Sequence, residues 1–184
     1  MLQSRYITDF NLHTRENEVF SVTTEAQMRL HRCCFTGHRP EKLIRSEKAI
    51  KAALRKQIKQ AVKDGFTVFI TGMARGVDLW AAEIVLDLRK RNNSVKLICA
   101  IPHEDFEAQW SADWKQRYHY VQNNADLVRV IGKSYHPGVY QLRNEWMVNH
   151  SARVIAVFNG QPSGTKNTID YAYRQGIPVV RIDG

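Results

Sequence analysis

From Arg32 onward, short apolar runs rich in β-branched and aromatic residues alternate with stretches of helical periodicity, and this alternation limits the fold more than any other feature of the chain. Cys33, Cys34 and Phe35 precede an amphipathic stretch, Glu47–Lys63. Residues 66–70 precede a helical pattern over 77–90, and residues 95–101 precede a polar and aromatic helix over 104–123. Residues 127–131 lead to a helix over 142–150, the run VIAVF at 154–158 leads to a helix over 165–175, and residues 177–182 close the series. Strands that each lead into a helix predict an α/β fold built on a mostly parallel sheet with helices on both faces. Ligands of such sheets sit beyond the carboxyl ends of the strands, where the strand-to-helix loops gather.

Residues 31–184 read as one domain. Residues 1–30 lack a clear period and read as an N-terminal extension of unknown role, in which VFSVT at 19–23 could add an edge strand. With 43% hydrophobic and 24% charged residues, the chain has the make-up of a soluble globular protein. No apolar run approaches the roughly 20 residues of a membrane span, and residues 1–30 do not have the charge pattern of a secretory leader, so a cytoplasmic protein with no membrane partner is expected.

Cys33, Cys34 and Cys99 fall inside strand-like runs without the pair spacing of a zinc or redox site, and read as buried, reduced thiols. The seven histidines are dispersed. The sequence therefore calls for no metal and no cofactor. A formal net charge of +9 attracts phosphates, nucleotides and nucleic acid without choosing among them.

The residues suited to chemistry fall in the loops after strands. The first loop carries Thr36, Gly37, His38 and Arg39, and the second carries Gly72, Met73, Arg75, Gly76 and Asp78. Glu104 follows the third strand, and Ser163, Gly164, Thr165 and Lys166 follow the 154–158 run. If the strands are parallel, these loops meet at one edge of the sheet. Glycines allow close backbone approach to a ligand, hydroxyls and unpaired amides at a helix start accept an anion, and His38, Arg39, Arg75 and Lys166 add positive or hydrogen-bonding groups suited to phosphate. Each loop also fits an ordinary turn or helix cap, but together they point to a phosphorylated ligand. Asp78, in the first turn of a helix, serves either the macrodipole or a sugar's hydroxyls, and Glu104 reads first as the cap of the helix that follows it. Trp110 and Trp114 read as packing, and the Lys51, Arg55, Lys59 and Lys63 face as solvated, with a track for a nucleic-acid backbone as the alternative. Neither GxGxxG after the first strand nor GxxxxGK[ST] is present, which argues against an ordinary NAD-dependent dehydrogenase and a P-loop enzyme.

Three ordered motifs, CCFTGHRPEKL, GMARGVDLWAAE and RNEWMVNHSARVIAVFNGQPSGTKNTIDYA, resemble the YpsA-like branch of the SLOG superfamily, which also includes the DNA-processing protein DprA and the LOG phosphoribohydrolases. The resemblance implies a modified Rossmann-like fold and binding of a nucleotide or nucleotide-derived molecule, as in a sensor, with a homodimer as the assembly. On this basis a phosphate rests near Gly37 and the Gly164 and Thr165 backbone, Arg75 and Arg143 act as charge partners, and Asp78 or Asn144 faces the sugar. Two alternatives come with the resemblance. One is single-stranded DNA binding, as in DprA. The other is hydrolysis of a nucleotide's N-glycosidic bond, as in the LOG enzymes, with Arg143 matching their arginine. Their glutamate, just inside the helix after PGGxGT, is replaced here by Lys166, Asn167 and Thr168, which leaves Arg143, Glu104 and Asp78 as the catalytic candidates.

Overall fold

The protein's structure, a computed structural model, describes residues 24–184. The edge strand expected at 19–23 lies outside the described residues. Among the described residues, six strands, β1 (Arg32–Gly37), β2 (Val68–Thr71), β3 (Lys96–His103), β4 (Leu127–Gly132), β5 (Arg153–Phe158) and β6 (Val179–Asp183), form one sheet in the order β4-β3-β2-β1-β5-β6. Every pairing is parallel, so the α/β, Rossmann-like class expected from the alternation is the one observed. From β1 the chain steps outward through β2 and β3 to β4, then returns to the other flank of β1 to lay down β5 and β6. The order therefore reverses between β1 and β5, the position at which open parallel sheets form a crevice at their carboxyl edge.

Five long helices cover the sheet: α2 (Glu47–Lys63), α3 (Val77–Arg89), α4 (Ala112–Asn124), α5 (Val139–Asn149) and α6 (Gly164–Arg174). A short α1 (Glu25–Arg29) precedes β1. Alternating residues of each strand face opposite sides, and two cores result. Cys33, Phe35, Phe69, Leu97 and Ile155 point into the layer of α2, α3 and α4, whereas Cys34, Ile70, Ile98, Val154 and Ala156 point into the layer of α5 and α6. α2 shows how sequence produces packing: Ser46 caps its start by accepting the Ala49 N–H at 3.3 Å, and Ile50, Leu54, Ile58 and Ala61 form one buried stripe. Burying each of its larger side chains stabilises the fold by about 1.5–3 kcal/mol. The three cysteines are buried free thiols, and burial pushes the Cys34 thiol up to about 12. Trp110 and Trp114 pack against the first core as expected.

Two helix starts differ from the sequence reading by three residues or more, and both differences shape the loops. The helix expected over 104–123 begins only at Ala112, because β3 runs on through Pro102 to His103 and the chain then passes through turns, with Asp105 at φ 56°. Glu104 consequently lies exposed in a turn and caps no helix. The helix expected over 142–150 begins earlier, at Val139, directly after Gly138, whose φ of 93° reverses the chain before the first turn.

Candidate functional site

The loops after β1, β2, β3 and β5 emerge at one edge of the sheet, and at the β1/β5 reversal they enclose a cleft of about 330 Å³. From the first loop Thr36, Gly37, His38 and Arg39 line it; Asp78 comes from α3, Arg143 and Asn144 from α5, and Ser163, Gly164 and Thr165 from the start of α6. These ten segment-spanning residues were each legible as candidates in the sequence. Gly37 keeps the floor close, since a Cβ on it would lie 2.5 Å from Val77 Cβ.

The start of α6 turns backbone amides toward the cleft. The Ser163 hydroxyl accepts the Lys166 N–H at 3.2 Å, leaving the Gly164 and Thr165 N–H groups ahead of the first intrahelical bond. Gly164 has no positive φ, and a Cβ built on it meets nothing within 4 Å. Neither conformation nor packing requires glycine at this point of the cleft.

Beneath the opposite wall lies a buried polar group of residues. Thr71 donates its hydroxyl to the Asp78 carbonyl at 2.9 Å and accepts the Met73 N–H at 3.2 Å, which holds Met73 at φ 63°. The buried Arg143 guanidinium donates to the Gly72 carbonyl, and its Nε–H donates to Asn144 Oδ1 at 2.8 Å. Asp78 is 5% exposed, accepts the Ala74 N–H on Oδ2 at 3.3 Å, and has no partner for Oδ1. Burial pushes its carboxyl up to about 6, against the opposing pull of Arg143 and the Ala74 N–H. His38, 3% exposed and stacked on Phe158 with 5.6 Å between centroids, has no partner for Nε2. Burial, followed by the nearby Lys42 charge, lowers its pKa.

Other candidates from the sequence stand elsewhere. Gly72 and Met73 lie under the wall: a Cβ on Gly72 would meet Asp78 Oδ2 at 2.7 Å, and the Met73 side chain is fully buried in the first core. Gly76, at φ 87°, lets α3 start against Pro40 and the His38 carbonyl. Arg75 turns toward Glu41, at 3.5 Å, and lies over the Trp110 ring at 6.0 Å. Lys166 is paired with Asp170 at 2.5 Å, which commits its charge along the outside of α6 and holds Asp170 away from the cleft. Glu104 does not line the cleft either.

Lys42, Ala74, Phe106, Tyr140 and Met147 complete the lining and were missed as site residues. A signal for two of them was available: Tyr140, Arg143, Asn144 and Met147 follow the i, i+3, i+4, i+7 rhythm of one helical face, so naming Arg143 implies its neighbours. Phe106 carried no such signal, because the stretch around it reads as helix and folds as turns.

A family model described as the YspA SLOG family matches residues 33–176. The chain belongs to this family. Among curated relatives, an uncharacterised SPbeta prophage-derived protein, YoqJ, of Bacillus subtilis (strain 168) is 37% identical over 116 residues, 56% of this chain and 68% of its own length. A UPF0398 protein of Bacillus thuringiensis (strain Al Hakam) is 30% identical over 130 residues, 69% of this chain and 71% of its own. The X-ray structure of DprA from Streptococcus pneumoniae superposes with a TM-score of 0.62 at 22% identity, over 85% of this chain and 52% of that one. DprA from Helicobacter pylori gives 0.60 at 19% identity, over 87% of this chain and 68% of that one. This YspA SLOG chain thus spans about half the length of the pneumococcal protein, and what it shares with both DprA structures is the fold. Among the described residues, no helix is long and apolar enough to cross a membrane.

Proposed function

We propose that the cleft binds a nucleotide or nucleotide-derived ligand, with the phosphate at the start of α6 and the sugar against Asp78 and Asn144. The observation that carries this reading is the pair of buried polar atoms without partners, Asp78 Oδ1 and His38 Nε2, on residues lining the same cleft as the α6 amides. Buried polar groups are almost always hydrogen-bonded, so a ligand that supplies donors and an anion together completes the site. A sugar hydroxyl suits the carboxylate, and a phosphate suits the amides. The net charge of +9 draws such a ligand in.

Binding without turnover, as in a sensor, is the form of the proposal that fits best, since Glu104 does not line the cleft and the glutamate of the LOG pattern is replaced by Lys166, Asn167 and Thr168. N-glycosidic hydrolysis is a second reading, favoured by the Asp78 carboxyl, whose raised pKa suits proton transfer near neutrality. Single-stranded DNA binding is a third, favoured by the fold shared with DprA, one of whose structures concerns a single-stranded DNA binding mode. On α2, Arg55 and Lys59 are exposed for such a role, whereas Lys51 is engaged by Glu47 at 2.5 Å. The same proposal has the protein working in the cytoplasm, where its thiols stay reduced, and as a homodimer, which light scattering after gel filtration tests.

Calorimetric titration with nucleoside monophosphates, NAD, ADP-ribose and a single-stranded oligonucleotide separates these readings, with chromatography of the mixtures for free base. Saturable binding of a mononucleotide without base release is the expected result. Release of base moves the assignment to hydrolysis. Affinity for the oligonucleotide alone, falling steeply with salt, moves it to DNA.

A further inference from the structure

Most of the side chains lining the cleft carry polar groups, yet the rings of Phe106 and Tyr140 stand in it as well. Phe106 is partly exposed and Tyr140 is 39% exposed, with 5.7 Å between their ring centroids. His103, buried at the end of β3, supports both from behind, at 5.7 Å from Phe106 and 5.9 Å from Tyr140. Its Nδ1 lies 2.5 Å from the Glu104 carbonyl, which fixes the ring. Trp110 packs edge-on to Phe106 at 5.1 Å. The two rings are therefore held by a rigid aromatic cluster while part of their surface stays open to the cleft.

Phe106 follows β3, and the start of α6 follows β5. Three strand steps separate them in the sheet, roughly 14 Å at about 4.8 Å per strand. A phosphate group alone, or a triose phosphate, cannot span that distance. A nucleotide extended along the rim reaches from the α6 amides, past the sugar-facing Asp78, to the rings.

Resting on the nucleotide reading above, we propose that Phe106 and Tyr140 form the base-binding wall of the cleft: the ligand carries an aromatic nucleobase that stacks there, and a sugar phosphate fills only the other half of the site. The test is calorimetric titration of the protein with AMP, GMP, CMP, UMP and ribose 5-phosphate, repeated on the double variant Phe106→Leu, Tyr140→Leu, which keeps apolar volume and loses the flat faces. At least one nucleotide binds more tightly than ribose 5-phosphate by about tenfold or more, the order associated with one base–aromatic stack, and in the double variant this ratio collapses toward one. In the unaltered protein, ring currents move the base protons of the bound nucleotide upfield in proton NMR, a readout that does not depend on the variant folding. Equal affinity for ribose 5-phosphate and the best nucleotide, a preserved ratio in a folded double variant, or unshifted base protons each overturns the base wall while leaving the phosphate subsite standing. If neither ribose 5-phosphate nor any nucleotide binds, the nucleotide reading itself falls.

Discussion

Gly164→Asp separates the ligand-binding role proposed for the α6 start from its structural role, because the two respond with opposite sign. The added Cβ meets nothing within 4 Å, and the backbone φ is open to any residue, so the substitution costs no packing and no strain. A carboxylate in the first turn also complements the helix macrodipole, which raises stability by about 0.3–1 kcal/mol. For a bound phosphate the same carboxylate is a like charge. At a separation of about 4 Å and an effective dielectric constant of about 20, each pair of charges repels by about 4 kcal/mol. That corresponds to roughly a thousandfold loss of affinity. Gly164→Ala serves as the control, with a similar or slightly higher stability of about 0.4–1 kcal/mol over wild type and a much smaller change in binding. Urea denaturation reads the first quantity, and calorimetric titration with AMP reads the second. A folded Gly164→Asp protein that binds AMP with wild-type affinity would falsify the position given to the phosphate.

Two further outcomes follow from the groups around the cleft. Gly37→Ala drives a methyl group to within 2.5 Å of Val77 Cβ, so the start of α3 must shift; a loss of about 1–3 kcal/mol is expected in urea denaturation, and an unchanged midpoint contradicts the close approach. Because burial raises the Asp78 carboxyl from 3.8 to about 6, its contribution to stability is present below its unfolded value and is lost as pH rises through the folded one. The wild-type protein should therefore lose stability relative to Asp78→Asn between about pH 4 and pH 6, by an amount on the order of 2–3 kcal/mol, as measured by denaturation across that range. A difference between the two proteins that does not vary with pH indicates that Asp78 is not buried in its charged form.

The sheet was legible because each buried strand carries a run such as VIAVF that is apolar on both faces, and each helix repeats its apolar residues at the helical period. The parallel direction followed from the alternation, and the gathering of the loops followed from the direction. What escaped the sequence depends on local backbone geometry or on side-chain partners. Asp105 at φ 56° turns the polar and aromatic stretch out of the expected helix, and with it go the capping role read for Glu104 and the notice of Phe106. Lys166 looked available for phosphate as a lone lysine after Gly-Thr, but Asp170, one helical turn on, takes its charge. Arg75 likewise is drawn to Glu41 and Trp110, residues distant enough in sequence that only the folded chain brings them together. The unpaired oxygen of Asp78 has no sequence signature at all, since it depends on which donors fail to reach it.

Arg143 fastens the Gly72 carbonyl across 71 residues of chain. A ribosome extending the polypeptide at about 5–20 residues per second delivers the two ends of that tie several seconds apart. Until α5 has emerged, the glycine loop has no clasp, and until α6 follows, the cleft lacks the wall formed by Ser163, Gly164 and Thr165. An interrupted translation product that ends before α6 thus carries the first loops of the cleft without the wall that closes it.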